Sequence, residues 1–230
     1  MKVELVKILS VGWTNIVYLG RSNGKKVVVK SFFNNPRVFF LLIFYVICSF
    51  LRFQIPPAFP VFPKTRLKNE LSAHKTLKKL GIKVPSVKHS EKFIVKEYVE
   101  GLNMDEFLKR TESSKLIKKA AYIRGKELGI VHNNGHAFVD NKVSNFIITP
   151  DFELVSVDHE FFCRKAKEFQ MELDFITLLS TVPIEIYDEF WKSFSLGYKN
   201  VRKKLPEIER KEILGWSMIA FKLMQLMGIK

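Results

Sequence analysis

The strongest constraint on the fold of this chain is a change of hydrophobic period at Gly101. Before it, most of the sequence alternates. VELVKILSVGWTNIVYLG reads as a strand, a turn at Gly12 and a second strand. RSNGKKVVVKSFF reads as a turn at Ser22-Asn23-Gly24 and a third strand carrying Val27, Val28 and Val29. One helical stretch, residues 66 to 80, is stopped by Gly81 and Pro85, and KFIVKEYVEG at 92 to 101 is a further strand. After Gly101 the apolar residues recur at helical spacing over 103 to 110, 115 to 134, 168 to 181, 185 to 204 and 207 to 227. Between the second and third of these, FVDNKVSNFIITPDFELVSVDHEFF reads as loop and short strands with a turn at Pro150-Asp151. The pattern predicts an α+β chain, with a β-rich lobe and one helix over 1 to 101, and a mainly helical lobe over 102 to 230.

Length and charge bound what such a chain can do. The 230 residues allow one large domain or two small lobes with a core of useful size. A formal net charge of +15 predicts attraction to polyanions: nucleotides, nucleic acid or an anionic membrane face. Cys48 and Cys163 are too few for a disulfide scaffold, and no Cys/His spacing suits zinc. The N-terminus lacks the apolar core and cleavage site of a signal peptide. Together these predict a cytoplasmic setting.

Residues 38 to 63 interrupt the first lobe with an apolar insertion. Val38 to Leu51 is a nearly unbroken run of 14 residues. As a helix it would span about 21 Å, short of the roughly 30 Å hydrocarbon core of a bilayer. Arg52, Gln54 and Pro56-Pro57 prevent its extension. It is either a helix packed into the first lobe or a helix lying on a membrane face. The bases Lys25, Lys26, Arg37, Arg52, Lys64 and Arg66 around it favour an anionic surface, docked through residues 38 to 55.

Several residues can carry chemistry. Glu70 falls on the apolar arc of its helix with Leu67, Leu71, Ala73, Leu77 and Leu80. A carboxylate there requires a cation, because burying it unpaired is costly. Lys30, at the end of the third strand, is the candidate, and the pair would hold its amine where phosphate oxygens can meet it. In DNKVSN, Asp140 and Asn145 stand five positions apart with Lys142 between them. On a loop, Asp140 can accept a proton from a hydroxyl, Asn145 can coordinate a metal, and Lys142 can neutralise a transferring phosphoryl group. Asp158 ends a strand in VSVDHEFF, where its carboxylate could hold Mg²⁺ against nucleotide phosphates. His89, His132 and His136 read as structural or exposed, the aromatic and Met residues of 190 to 227 as core, and the lysine pairs at 78–79, 118–119 and 203–204 as solvated faces.

Taken in order, SVGWTNIVY, VVVK, RLKNE, VKEYVEG, DNKVSN and VDHE resemble the protein-kinase-like fold over roughly residues 5 to 180. The resemblance implies a two-lobe architecture, with ATP and Mg²⁺ as cofactors and a hydroxyl group as acceptor. It implies Lys30, paired with Glu70, on the phosphates. Gly12 stands for the Gly-rich loop, and Glu97 and Val99 for the hinge at the nucleotide. Asp140 and Lys142 are the catalytic residues, and Asn145 and Asp158 the metal ligands. Asp174, in ELDFITLLS, matches the buried acid that kinases use to hold the catalytic loop by its backbone N–H groups; an acid meeting the helix dipole is the alternative.

The departures point to a branch. Phe138 and Val139 replace the catalytic-loop His and Arg, Asp158-His159-Glu160 replaces Asp-Phe-Gly, and no Ala-Pro-Glu signal follows. Small atypical kinases have this pattern: the RIO kinases, the kinase of the KEOPS complex and, most similar, the lipopolysaccharide (Kdo/heptose) kinases. With the last group the chain shares FLRFQIPPAFPVFPKTRLKNE-like and LKKLGIKVP-like stretches. The acceptor implied is a sugar or lipid-linked glycan, or a protein Ser/Thr. A non-catalytic binding module on a kinase scaffold, such as a basic subunit of a nucleic-acid complex, is the other function class, fed by the missing His-Arg.

Overall fold

The computed structural model describes residues 2–12, 14–34, 60 and 62–205. The apolar run 38–51 and the helix expected over 207–227 lie outside these residues. The described chain is a mixed α+β structure whose N-terminal region is an antiparallel sheet. It forms two compact units. One comprises the described residues up to Gly101 together with Ile147–Phe162; the other comprises Leu102–Phe146 and the described residues from Cys163 onward. Segment 147–162, read from sequence as part of the helical lobe, therefore belongs with the β-rich unit. Short strands carry no mark of the partner they will choose, so the sequence pattern alone could not place it.

In the first unit, β1 (Glu4–Val11), β2 (Asn15–Ser22) and β3 (Lys25–Phe32) form the expected meander. Asn23 and Gly24 both have positive φ, 49° and 76°, and close a tight hairpin between β2 and β3 whose registry is Ser22↔Lys25. β4 (Val87–His89), which the sequence did not announce, pairs with β5 (Phe93–Glu97), and the sheet order is β1-β2-β3-β5-β4. β1 is an edge strand exposed along its whole length. Its register shifts at Leu5/Lys7 and Ile8/Ser10 are irregularities of the kind that blunt an edge against further pairing.

Helix α1 (Pro63–Lys79) begins with proline in its first turn, where a missing N–H costs nothing. It buries Leu67, Glu70, Ala73, His74 and Leu77. Leu67 packs with Phe32 of β3 and Ile94 of β5, so one helix stripe covers one face of the sheet. The alternation of β3 puts Lys30 on the same face as Phe32, opposite Ile94 in registry, and therefore under α1. β7 (Phe146–Ile148) and β8 (Leu154–Ser156) are joined by a turn in which Thr149 N donates to Glu153 O at 3.0 Å. Ser156 N donates to Lys83 O at 2.9 Å, tying this segment to the loop after α1.

The second unit contains the two-residue strand β6 (Leu102–Asn103), α2 (Met104–Arg110), α3 (Ser114–Asn133), α4 (Glu168–Leu179) and α5 (Tyr187–Lys199). Asn103 caps α2 by accepting from Asp105 N at 2.9 Å. Helices α3 and α5 cross almost backbone to backbone. A Cβ on Gly125 would overlap the Phe194 carbonyl, and one on Gly197 the Tyr122 carbonyl; one on Gly129 would lie 3.0 Å from Tyr198 O. Phe175 of α4 meets Phe194 and Tyr198 of α5 edge to face, at 5.5 and 5.0 Å between ring centres. Among the described residues, no helix is long and apolar enough to cross a membrane.

Candidate functional site

In the first unit the site is an ionic hub around Lys30. Its ammonium donates to Glu70 Oε2 at 2.9 Å and to Asp158 Oδ1 at 2.6 Å, and lies 3.9 Å from Glu160 Oε2. Lys30 and Glu70 are almost wholly buried, whereas the Asp158 side chain remains 32% exposed. The Lys30–Glu70 pair expected from the helical stripe is thus present, and Asp158 joins it. A second lysine, Lys96 of β5, donates to the other Glu70 oxygen and to the carbonyl of Val157.

The electrostatics follow from this packing. Burial alone would strip the proton from Lys30, but Asp158, Glu160 and Glu70 outweigh it and keep the ammonium charged. Burial also opposes ionisation of Asp158, yet Lys30 and then Lys96 hold its pKa at about 2. Glu160 is pushed up to about 7 by burial, with Lys30 pulling it down and Asp158 and Glu70 pushing it further up. His74, one turn after Glu70, is lowered to about 4 by burial and by the Lys96 charge, and so stays neutral. His74 meets His159 edge to face at 4.8 Å. Ligand atoms of Glu70, His74 and His159 lie within 4.8 Å of one another. Both Glu70 oxygens already accept hydrogen bonds from lysine ammoniums, so this trio is a poor cation trap.

The turn at Gly12 closes on the same hub. Gly12 N donates to Asn15 O at 2.9 Å. Thr14 Oγ1 and Asn15 Nδ2 donate to Glu160 Oε1 at 2.6 and 3.2 Å. Asn69 of α1 donates its side-chain amide to the carbonyls of Glu160 and Phe162 at 2.8 and 2.9 Å, fixing the segment after Asp158. Glu97 and Val99 stand apart from the hub. They line an open cleft of about 480 Å³ with Lys78, Ile82 and Pro85. The Glu97 carboxylate accepts from Ser86 Oγ at 2.9 Å.

In the second unit the DNKVSN stretch is a clamped loop. Asp174 of α4 is fully buried and accepts from Phe138 N at 2.8 Å, Val139 N at 2.6 Å and His132 Nε2 at 3.0 Å. It therefore holds the loop by backbone N–H groups, as the resemblance implied, and the helix-dipole alternative is set aside. Val139 has φ +69°, a left-handed conformation that a β-branched residue adopts only when its surroundings impose it. Asn141 N donates to Thr177 Oγ1 at 3.0 Å, and Val143 N to Thr181 Oγ1 at 3.1 Å. Arg124 of α3, fully buried, donates to Asn141 Oδ1 and lies 4.6 and 4.0 Å from the ring centres of Phe138 and Phe146.

What the clamp presents is Asp140, with Lys142 Nζ 2.9 Å from its Oδ1. Asn145 closes a 3₁₀ turn (Val143–Asn145) and donates its amide nitrogen to Asp140 O at 2.7 Å. The Asn145 amide oxygen, the atom a metal would use, takes no part in that bond.

Sequence reasoning missed Lys96, Glu160 and the Thr14-Asn15 latch. The alternation of FIVKE does put Lys96 on the Ile94 face, which was the available signal. Nothing local said that β5 would lie beside β3. No known family model matches the chain, and no curated protein is significantly similar to it.

Proposed function

We propose that this chain is an atypical kinase: an ATP- and Mg²⁺-dependent phosphotransferase of the two-lobe protein-kinase-like fold. The observation that carries the reading is Lys30 hydrogen-bonded at once to Glu70 and Asp158. Three stretches far apart in sequence meet at one ammonium, in the order and with the residue types a phosphate-binding lysine requires. Lys30 binds nucleotide phosphate, Glu70 orients Lys30, and Asp140 takes the proton of the acceptor hydroxyl. Lys142 offsets charge on the transferring group. Gly12, Glu97 and Val99 keep the nucleotide-facing roles that the resemblance implies.

Mg²⁺ suits the donor chemistry of Asp158 and Asn145, both of which offer oxygen. Asp158 is ionised throughout the physiological range and partly open to water. When bound, the ion would neutralise phosphate charge. The acceptor class that the resemblance favours is the hydroxyl of a lipid-linked sugar, with protein Ser/Thr next, and the protein would work at an anionic membrane surface.

Purified protein incubated with γ-labelled ATP, Mg²⁺ and membrane or soluble extracts tests the reaction. Label transfer that disappears in Asp158→Asn is the expected result. Mg²⁺-dependent ATP binding with no turnover of any acceptor would instead make the chain a non-catalytic module. Co-sedimentation with anionic vesicles, comparing the parent with a variant carrying polar residues at Phe39, Leu42, Tyr45 and Val46, tests the membrane setting. Equal binding by the two would remove it.

A further inference from the structure

Glu160 has no role in the reading above, yet it is among the most tightly held acids in the first unit. Its side chain is 5% exposed. Oε1 accepts from Thr14 and Asn15, while Oε2 is buried and has no hydrogen-bond donor. The Lys30 ammonium stands 3.9 Å from Oε2, beyond hydrogen-bond reach, because its hydrogen bonds go to Glu70 and Asp158. A carboxylate oxygen shut off from water without a donor is costly. Within ion-pairing distance the hub sets the carboxylates of Glu70, Asp158 and Glu160 against the ammoniums of Lys30 and Lys96. Arg66 acts on Glu160 only at longer range, its guanidinium being hydrogen-bonded to Phe33 O.

Asp158 and Glu160, two residues apart, converge on one point, since both reach the same lysine nitrogen. Glu160 Oε2, which has no hydrogen-bond donor, and the partly exposed Asp158 carboxylate, which also accepts from the Glu160 backbone N–H, are hard oxygen donors. We propose that Glu160 is a carboxylate ligand, beside Asp158, for a hard divalent cation such as Mg²⁺ or Mn²⁺. The inference rests on the assignment of Asp158 as a metal ligand and adds a residue that the resemblance left without a task. The latch from Thr14 and Asn15 then orients the ligand by holding its other oxygen.

Mn²⁺ binding to the full chain without nucleotide, followed by the loss of the free-ion EPR signal, tests this directly. The parent binds Mn²⁺, and Glu160→Gln weakens binding by about tenfold or more. Thr14→Val removes the hydrogen bond to Oε1 and the one Thr14 accepts from Asn15 Nδ2; with Asn15 still on Oε1, it weakens binding less than Glu160→Gln does. A second measurement needs no variant. In protein labelled with ¹³C at the glutamate δ-carboxyls, substoichiometric Mn²⁺ broadens a glutamate signal. Parent-level affinity in Glu160→Gln, a parent that binds no Mn²⁺, or broadening of no glutamate carboxyl would each overturn the proposal. ATP turnover is scored separately. Glutamate-dependent Mn²⁺ binding without turnover leaves the metal site standing and removes the kinase reading. Turnover with a glutamate-independent metal does the reverse.

Discussion

The two units hold their chemical groups by opposite means. In the first, Lys30 is fixed by charge: side chains from β3, α1, β5 and the segment after β8 meet, and the buried ions Lys30, Glu70 and Lys96 each face an opposite charge. In the second, Asp140 is fixed by hydrogen bonds to the chain itself, through one acid, Asp174, that takes two successive backbone N–H groups and a histidine. An ionic hub can exchange partners when a charged ligand arrives. A backbone clamp has no such alternative and holds one geometry. The lesson is a difference in adjustability: the ionic hub carries Lys30 and Asp158, and the rigid clamp carries Asp140 with Lys142 and Asn145 beside it.

The comparison can be broken most sharply at Asp140. Asp140→Asn leaves the clamp untouched, since the Asp140 carboxylate contacts only the exposed Lys142 among its described partners. Phosphoryl transfer is expected to fall by about 100-fold or more, with ATP affinity and melting temperature unchanged. A parent-level rate would remove Asp140 from the reaction. Next in size is the clamp. Asp174→Ala strands two backbone N–H groups and His132, and should cost about 3–5 kcal/mol in denaturant unfolding. A loss below about 1 kcal/mol would mean that the loop holds itself. Glu70→Gln leaves Lys30 with Asp158 and a neutral amide. Turnover should drop while ATP still binds, with a stability loss of about 2 kcal/mol, smaller than for the clamp because Lys30 keeps a partner.

Two single groups, His74 in the first unit and Glu127 in the second, should answer pH with opposite signs. His74, in the first unit, has a folded pKa of about 4 against an ordinary 6.5. The folded state resists its protonation, so its contribution is full above pH 6.5 and is lost as pH falls toward 4. The charged and titratable neighbours of that ring are Glu70, His159, Lys96 and Lys30. Glu127, in the second unit, is raised to about 7 by burial, against the pull of Arg124. Its contribution is full below about pH 4.5 and is lost as pH rises through 7. Hydrogen exchange resolved by segment, between pH 4 and 8, should show the amides around His74 loosening in acid and those around Glu127 toward alkali. His74→Gln and Glu127→Gln should each flatten one trend. Parallel trends in the two places would show that neither group governs its surroundings.

Much of this was legible in the sequence, and the limits have physical causes. The meander was readable because turn chemistry at Asn23-Gly24 and the β-branched run Val27, Val28 and Val29 are local signals. The Lys30–Glu70 pair was readable because a carboxylate on an apolar stripe creates a demand that few cations could meet. Asp174 was visible only through resemblance, since an acid near the start of a helix has a simpler explanation in the dipole. Lys96 and Glu160 were illegible because their burial depends on which strands become neighbours, a property of the sheet order and not of any segment. The membership of 147–162 in the first unit failed for the same reason.

The glycine crossing of α3 and α5 has a mechanical consequence. Gly125 and Gly129 are spaced one helical turn apart, and so are Phe194 and Tyr198, whose backbones they face. The crossing works as a detent: slipping either helix along its axis would drive a side chain into a carbonyl. His132, three residues beyond Gly129, bonds both Tyr198 Oη at 2.9 Å and Asp174. One added methyl at Gly125 would therefore be read out two helices away, as a displaced loop, so the alignment of Asp140 is indexed by positions that carry no side chain at all.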